Sequence, residues 1–220
     1  MSTTVEYLVK QAAVILNATT GIGNGDSSTI GAIDDPKKFP YSFLSNDALD
    51  SDAENCRLIC STKGHPLQKG FIVDSSALAD GAVIAASGGG EIFAIINVKV
   101  DGSDARRKPV SYFKRLASDS LSRTTIGKYY DIEGGNILRH NGTSAVCKLV
   151  RFLMSGAPQA PDSLRHATLA NMLSVCSPKM GVDVEVASYF AQQWALRAQM
   201  IQSGAITVPE VIAYQKGQPQ

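Results

Sequence analysis

The sequence predicts an α+β fold in which a mostly antiparallel sheet lies between helical segments at the two ends of the chain. Apolar residues recur at helical spacing in residues 5–16, at strand spacing in short runs between residues 55 and 153, and at helical spacing again in residues 160–215. Because helical and strand patterns are segregated rather than alternating, an α+β class is favoured over βαβ units. The 220 residues are enough to bury a core without a metal or a disulfide.

The first predicted element is an N-terminal helix with one broad apolar face, followed by Gly21 as a stop signal. Residues 18–54 then have the composition of a long polar connection, rich in Gly, Ser, Asp and Pro. A connection of that length usually has a function or packs on a neighbour. Tyr41, Phe43 and Leu44 lie within it, and we therefore expect an arm that packs on another subunit.

Strand patterns occupy the middle of the chain, at residues 55–61, 70–74, 82–86 and 91–100. The pair Asn141-Gly142 separates two further strand patterns, at residues 137–140 and 144–153, and such a pair is a strong signal for a two-residue hairpin. Pro109 begins a stretch with apolar residues every three to five positions, which predicts one inserted amphipathic helix over 109–121. The expected organisation is an N-terminal helix and arm (1–54), a β-rich core (55–153) and a helical region (154–220) that forms one globular unit with the core.

The C-terminal region predicts a helix over 163–174 and a longer one over about 184–203. The longer helix is apolar most of the way round, and Arg197 is its one charged residue between positions 186 and 203. Such a helix is buried on more than one side, either in a core or against another protein. The predicted subunit-interface residues, from this helix and from the arm, are Tyr41, Phe43, Tyr189, Phe190, Trp194, Arg197 and Met200.

Charge is distributed unevenly along the chain. Residues 1–60 carry eight acids and four bases, whereas residues 101–151 carry ten bases and five acids. Aromatic residues (Tyr112, Phe113, Tyr129 and Tyr130) are interleaved with these bases, a combination suited to single-stranded nucleic acid. The predicted nucleic-acid-binding residues are Arg106, Arg107, Lys108, Lys114, Arg115, Arg123 and Lys128. A solvated basic face, or pairing with the acidic arm of a neighbouring copy, are the alternatives.

Other classes of site have little support in the sequence. The N-terminus lacks the basic segment of a signal peptide, and no apolar run is long enough to span a membrane. The expected extended backbone separates Cys56 and Cys60 by ~13 Å, too far for a disulfide or for a shared metal with His65. The Gly-rich stretches do not follow a strand and open a helix as a nucleotide-binding loop does, and no catalytic motif or cofactor site is expected.

These features predict a non-enzymatic subunit that assembles with copies of itself, of the viral or phage coat or nucleocapsid type, located in the cytoplasm or the virion. Its basic central segment is expected to face nucleic acid, and no membrane partner is expected. One alternative is a monomeric or dimeric module that binds single-stranded nucleic acid. Another is an enzyme or host-modulating factor without a recognisable motif.

Overall fold

The computed structural model describes residues 4–20, 43–85, 90–118 and 127–205. It contains helices and mostly antiparallel strands, which confirms the predicted α+β class. The chain divides into two compact units, one formed by Met1–Leu67 with Met154–Gln220 and the other by Gln68–Leu153. We call the first the helical unit and the second the sheet unit.

The α-helices are α1 (Val5–Thr20), α2 (Phe43–Ser61), α3 (Val110–Ser118), α4 (Arg165–Lys179) and α5 (Val184–Gln202). Of these, α3 belongs to the sheet unit and the other four form the helical unit. Short 3-10 turns at Pro66–Phe71 and Asp162–Leu164 follow α2 and precede α4. The predicted N-terminal helix, inserted helix and C-terminal helices are thus all present, with α3 described as far as Ser118.

The core of the helical unit explains why α1 forms. Its helical spacing places Leu8, Val9 and Leu16 on one face, and all three are fully buried. They pack in one cluster with Leu44 of α2 and Met172 of α4. Full burial of such a side chain contributes roughly 1.5–3 kcal/mol, so these contacts hold the N-terminal helix to the two later ones.

Helix α2 corrects two predictions, because residues 43–54 are not an extended connection and residues 55–61 are not a strand. The 19-residue helix buries polar side chains as well as apolar ones, among them Asp47, Ser51, Asp52 and Asn55. Polar residues at these positions interrupt the apolar helical pattern, and their partners come from distant parts of the sequence. The rest of the predicted arm, residues 21–42 with Tyr41, lies outside the described residues.

Among the described residues of the sheet unit, seven strands form two sheets. They are β1 (Ile72–Asp74), β2 (Glu91–Val100), β3 (Ser103–Asp104), β4 (Arg106–Arg107), β5 (Tyr129–Glu133), β6 (Ile137–His140) and β7 (Ala145–Phe152). The large sheet has the antiparallel order β1-β7-β2-β3, and the small sheet has the order β4-β5-β6. In the small sheet β4 runs parallel to β5, whereas β5 and β6 are antiparallel.

The strand predictions at 91–100 and 137–140 are confirmed residue for residue, and those at 70–74 and 144–153 are confirmed with shorter bounds. The segment predicted as a strand at 82–86 forms an isolated bridge between Val83 and Ile137. The predicted hairpin is wrong, because β6 pairs with β5 while β7 pairs with β1 and β2.

Gly142 lies against the end of β2 instead of forming a hairpin turn. A Cβ at this residue would overlap Val100 Cγ1 and Asp101 Oδ2, so the glycine permits a close approach of the turn after β2. Asp101 Oδ1 accepts hydrogen bonds from the backbone N–H groups of Thr143 and Ser144, each at 2.9 Å. These bonds tie the start of β7 to the end of β2 instead of to β6.

The four cysteines are buried free thiols. Cys56 and Cys60 lie on α2, so the extended geometry expected for them is wrong. Burial raises the pKa of Cys56, and it raises the pKa of Cys176 to about 12. Because the thiolate is the reactive and metal-binding form, these thiols are poorly suited to either role. Within the described part of the chain, no helix is both long and apolar enough to cross a membrane.

Candidate nucleic-acid interface

The charge asymmetry of the sequence follows the division into units. The helical unit carries twelve acids and nine bases, a net charge of −3, whereas the sheet unit carries eight acids and twelve bases, a net charge of +4. Net charge of one sign on one part of a protein favours a partner of the opposite sign at that part. An anionic partner would therefore meet the sheet unit.

The small sheet brings part of the predicted basic cluster together. Strand β4 lies beside β5 because Arg106 N donates to Lys128 O at 2.9 Å and Lys108 N donates to Tyr130 O at 2.8 Å. Helix α3 begins at Val110, directly after these bases. One edge of the sheet unit therefore carries the three consecutive cations 106–108 together with Lys128 and Tyr129.

Arg107 is held by an acidic neighbour at this edge. Its Nε donates to Asp131 Oδ1 at 2.7 Å, and this contact raises the pKa of Arg107. Burial alone would raise the pKa of Asp131, but the bond from Arg107 and the backbone N–H groups of Ile132 and Val110 together lower it. Since Val110 is the first residue of α3, the Asp131 carboxylate also satisfies a free N–H group at the helix start. The Arg107 side chain remains 68% exposed.

Two other predicted cations have acidic neighbours. Lys128 Nζ lies 2.7 Å from Asp101 Oδ2, and this bond, with the N–H of Ser144, lowers the pKa of Asp101 to about 2. Lys114 Nζ is a looser 3.9 Å from Glu133 Oε1, and the other oxygen of Glu133 accepts from Arg139 Nε at 2.7 Å. The Lys114 side chain is correspondingly 72% exposed.

At this edge, the positive charges of Arg106 and Lys108 are the least neutralised by nearby carboxylates. Among the residues that the structure describes, neither has a carboxylate within ion-pair distance. Lys108 Nζ instead lies 5.5 Å from the centroid of the Tyr129 ring. The Tyr112 ring meets Tyr129 edge-on at a centroid distance of 5.5 Å. Arg115 is exposed on α3, and Arg123 lies outside the described residues.

Asn141 is a residue of this interface that sequence reasoning missed. Its Nδ2 donates to Gly127 O at 2.7 Å, and its Oδ1 accepts from Tyr129 N at 2.8 Å. The side chain therefore holds the backbone on both sides of Lys128. The Asn-Gly pair in the sequence indicates a local turn. It does not indicate the contact between Asn141 and Tyr129, which lies twelve positions earlier.

The predicted interface residues on α5 separate into buried and exposed sets. Phe190 packs in the core of its own unit, so it does not belong to an exposed surface. Trp194, Arg197 and Met200 are half-buried, whereas Tyr189 is 56% exposed. Phe43, from the predicted arm, also packs against the helical core.

An exposed, uncharged line of side chains follows the outer side of α5. It consists of Tyr189, Gln192, Leu196 and Gln199, spaced three or four residues apart. Leu196, which was not among the predicted interface residues, is 53% exposed. Arg197 lies beside this line with its guanidinium bonded to Gln193 Oε1 at 2.8 Å. We call these four residues the α5 outer face.

A shallow cavity of about 80 Å³ lies on the large sheet and is lined by Asp74, Asn97, Lys99, Val146 and Lys148. Asp104 bonds to Asn97 at 2.8 Å, so two carboxylates offset the two lysines near this cavity. In the described part of the chain, no group of three His, Cys, Asp or Glu side chains could hold a metal ion. The cavity therefore offers a weaker anion site than the edge at β4.

The chain matches no protein-family model, and no curated protein is significantly similar to it.

Proposed function

We propose that this protein is a non-catalytic structural subunit that assembles with copies of itself, of the viral or phage coat or nucleocapsid type. In the assembly, the basic edge of the sheet unit faces nucleic acid. The observation that carries the proposal is the opposite net charge of the two units, −3 and +4. Opposite charge on separate parts of one chain suits a subunit whose copies meet one another and a polyanion at different surfaces.

Charge complementarity acts on assembly over a short range. At physiological ionic strength the screening length is about 8 Å, so the −3 and +4 units attract strongly only near contact. Such complementarity mainly guides encounter and orientation and contributes less to final affinity. A further apolar contact is therefore needed to hold subunits together.

The α5 outer face supplies that contact if it packs on the same face of a second copy. Two helical units, each with a net charge of −3, repel one another unless they meet where charge is absent. Antiparallel packing of two such helices would place Leu196 near the centre and would align the helix dipoles favourably. A specific interface usually buries roughly 1,200–2,000 Å². One pair of helix faces supplies less than this, so the contact is weak singly and effective when repeated.

Nucleic acid would add the remaining affinity at the basic edge. Arg106 and Lys108 are the cations best placed to neutralise phosphates, since neither shares its charge with a described carboxylate. Each phosphate neutralised adds roughly 0.7–0.9 to the slope of log K against log salt concentration. A polyanion that crosses several subunits also links them, which raises the effective concentration of each next subunit.

The test is the size of the purified full-length protein across a concentration series, measured by light scattering and electron microscopy. We expect concentration-dependent assembly that nucleic acid promotes and salt weakens. Leu196→Glu, which places a charge on the α5 outer face, should leave a folded protein of monomer size. Val14→Glu is the matched control, because Val14 is 50% exposed on α1 and lies outside that face.

Two results would contradict the proposal. The first is a wild-type protein that stays monomeric at high micromolar concentration with and without nucleic acid. The second is a Leu196→Glu protein that assembles as the wild type does. Circular dichroism of both variants should match the wild type, which separates loss of assembly from loss of folding.

A monomeric or dimeric module that binds single-stranded nucleic acid is the second candidate. It is favoured by the placement of Lys108 and Tyr112 around Tyr129, because cations beside an aromatic ring suit unpaired nucleotides. For this candidate, the double variant Arg106→Glu, Arg107→Glu abolishes salt-dependent oligonucleotide binding, while the wild type forms no large assembly. Binding that ignores both charge reversals would eliminate it.

A further inference from the structure

We infer that Tyr129 is a stacking platform for one unpaired base of single-stranded nucleic acid, held in position by Asn141 and Gly127. The inference rests on the part of the proposed function in which the sheet unit faces nucleic acid, and it does not depend on self-assembly. It specifies that the bound nucleic acid is single-stranded and that one of its bases stacks on the Tyr129 ring.

The backbone that carries Tyr129 is fixed from both sides. Three hydrogen bonds join this backbone to Asn141. The Asn141 side chain donates from Nδ2 to Gly127 O at 2.7 Å and accepts at Oδ1 from Tyr129 N at 2.8 Å. The backbone N–H of Asn141 donates to Tyr129 O at 3.3 Å. A ring that is ordered before binding loses little conformational freedom on binding, which favours affinity.

Gly127 allows the ring to lie where it does. A Cβ at this position would be 2.6 Å from the Tyr129 hydroxyl oxygen and 3.0 Å from Cε2. Any other residue would therefore push the ring away from the backbone. The ring is partly exposed, so its position is determined by its neighbours without being enclosed by them.

Cations and a second ring surround this platform. Arg106 is the register partner of Tyr129 across β4 and β5, and Lys108 Nζ lies 5.5 Å from the Tyr129 centroid. Tyr112 approaches edge-on, with an angle of 74° between the two rings, and so supports the ring at its side. One base and the phosphates on either side of it would find an aromatic face next to two cations.

The existing contact between Lys108 and Tyr129 does not prevent stacking. An exposed cation–π contact changes an equilibrium constant by roughly 2- to 5-fold, whereas stacking of a base on an aromatic side chain changes it by roughly 5- to 150-fold. A base therefore displaces the ammonium from the ring, and the ammonium remains within reach of the adjoining phosphate. Duplex nucleic acid cannot use the site in this way, because its bases are already stacked on one another.

The experiment measures binding of the full-length protein to a labelled oligouridylate and to a duplex of equal charge, by fluorescence anisotropy over a salt series. Tyr129→Ala should weaken single-strand binding by about 10-fold with an unchanged salt slope, and should leave duplex binding unchanged. Tyr129→Phe, which keeps the aromatic face, should bind as the wild type does. Arg106→Ala should instead lower the salt slope by roughly one for both ligands.

Asn141 is a positioning residue, and its variant tests that role. Asn141→Ala should weaken single-strand binding with no change in salt slope, and should add no further loss when combined with Tyr129→Ala. A purely structural role would lower duplex binding as well, and its effect would add to that of Tyr129→Ala.

Tyr129→Leu keeps the bulk of the side chain and protects the test against loss of folding in the alanine variant. Single-strand affinities of Tyr129→Leu and Tyr129→Ala equal to that of the wild type would overturn the inference, and so would equal losses for single strand and duplex. If the wild type shows salt-dependent binding while the Tyr129 variants give either of these results, the inference fails and the proposed function is unaffected. A wild type that binds neither ligand would overturn this inference and the nucleic-acid part of the proposed function, whereas assembly is decided separately by light scattering.

Discussion

The helical unit and the sheet unit use the same kinds of polar side chain in opposite ways. In the helical unit the polar contacts are buried between helices and loops, as in the bond from Asn55 Nδ2 to Thr168 Oγ1 at 2.7 Å. In the sheet unit the ionic contact of Lys114 with Glu133 lies at the surface, where the Lys114 side chain is 72% exposed. Buried polar groups are costly to leave unpaired, whereas exposed ion pairs contribute little to stability. We therefore expect polar residues to stabilise the first unit and to set the surface charge of the second.

The largest expected effect is the loss of Asp52 from the helical unit. Asp52 is 3% exposed, and its carboxylate accepts hydrogen bonds from Gln159 N at 2.6 Å and Ala160 N at 3.2 Å. Asp52→Ala leaves both N–H groups without an acceptor and should lower the free energy of unfolding by about 2–3 kcal/mol. Denaturant titration followed by the fluorescence of Trp194, which lies in the same unit, measures this.

Two variants sharpen that prediction. Asp50→Ala removes an exposed carboxylate from the same helix and should change stability by no more than about 0.5 kcal/mol. Asp52→Asn should retain most of the stability, because both N–H groups reach the same oxygen, Oδ2, and one amide oxygen would serve both. Equal losses in Asp52→Ala and Asp50→Ala would show that the buried bonds are not needed.

A matched pair of lysine variants tests the comparison between units directly. Lys179 Nζ lies 2.5 Å from Asp47 Oδ1, and the other oxygen of this buried carboxylate has no partner among the described residues. Lys179→Met should therefore lower the free energy of unfolding by about 2 kcal/mol, less than for a fully buried pair because Lys179 is half exposed. Lys128→Met removes the partner of an exposed carboxylate, and we expect a far smaller effect. The same denaturant titration measures the loss for Lys179→Met, and amide hydrogen exchange measures that for Lys128→Met in the sheet unit. Equal losses of stability in the two variants would contradict the comparison.

The smallest expected effect is a pH dependence of opposite sign for two carboxylates, one in each unit. Burial raises the pKa of Asp52, so its contribution to stability is present at low pH and is lost as pH rises through the raised value. The pKa of Asp101 is lowered to about 2, mainly by its bond with Lys128. Its contribution is present above the ordinary Asp pKa near ~4 and is lost as pH falls toward 2.

Amide hydrogen exchange at several pH values separates these contributions. Asp101→Asn should flatten the acid dependence of the sheet unit between about pH 4 and pH 2, and should leave that of the helical unit unchanged. Asp52→Asn should remove the loss of stability that Asp52 causes in the helical unit above about pH 4, and should leave the sheet unit unchanged. The same response of both units to either variant would contradict the assignment.

Periodicity made much of the fold predictable. The face of α1, strand β2 and strand β6 follow from residues close together in sequence, and the structure confirms them at or near the predicted bounds. Helix α2 was missed because Asp47, Asp52 and Asn55 occupy buried positions that the apolar pattern would reserve for hydrophobic residues. Their partners are 107 to 132 residues away in the cases of Asp52, Asn55 and Asp47. No local pattern records such contacts.

The candidate site divides in the same way. The basic cluster and its interleaved aromatic residues were visible in the sequence. The sequence did not show which cations lie beside carboxylates, because the carboxylates near Arg107, Lys114 and Lys128 come from other strands and turns. The roles of Asn141 and Gly127 around Tyr129 also depend on pairing between β5 and β6, which the Asn-Gly signal misrepresented as pairing between β6 and β7.

By itself, the order of residues determined the α+β class, the positions of most helices and strands, and the placement of net charge along the chain. These properties depend on side-chain spacing and composition, which act over a few residues. Tertiary structure alone decided which strands pair, which buried carboxylates have partners, and which cations and rings remain exposed at one edge. Those outcomes depend on contacts between distant residues, whose energies exist only once the chain has brought them together.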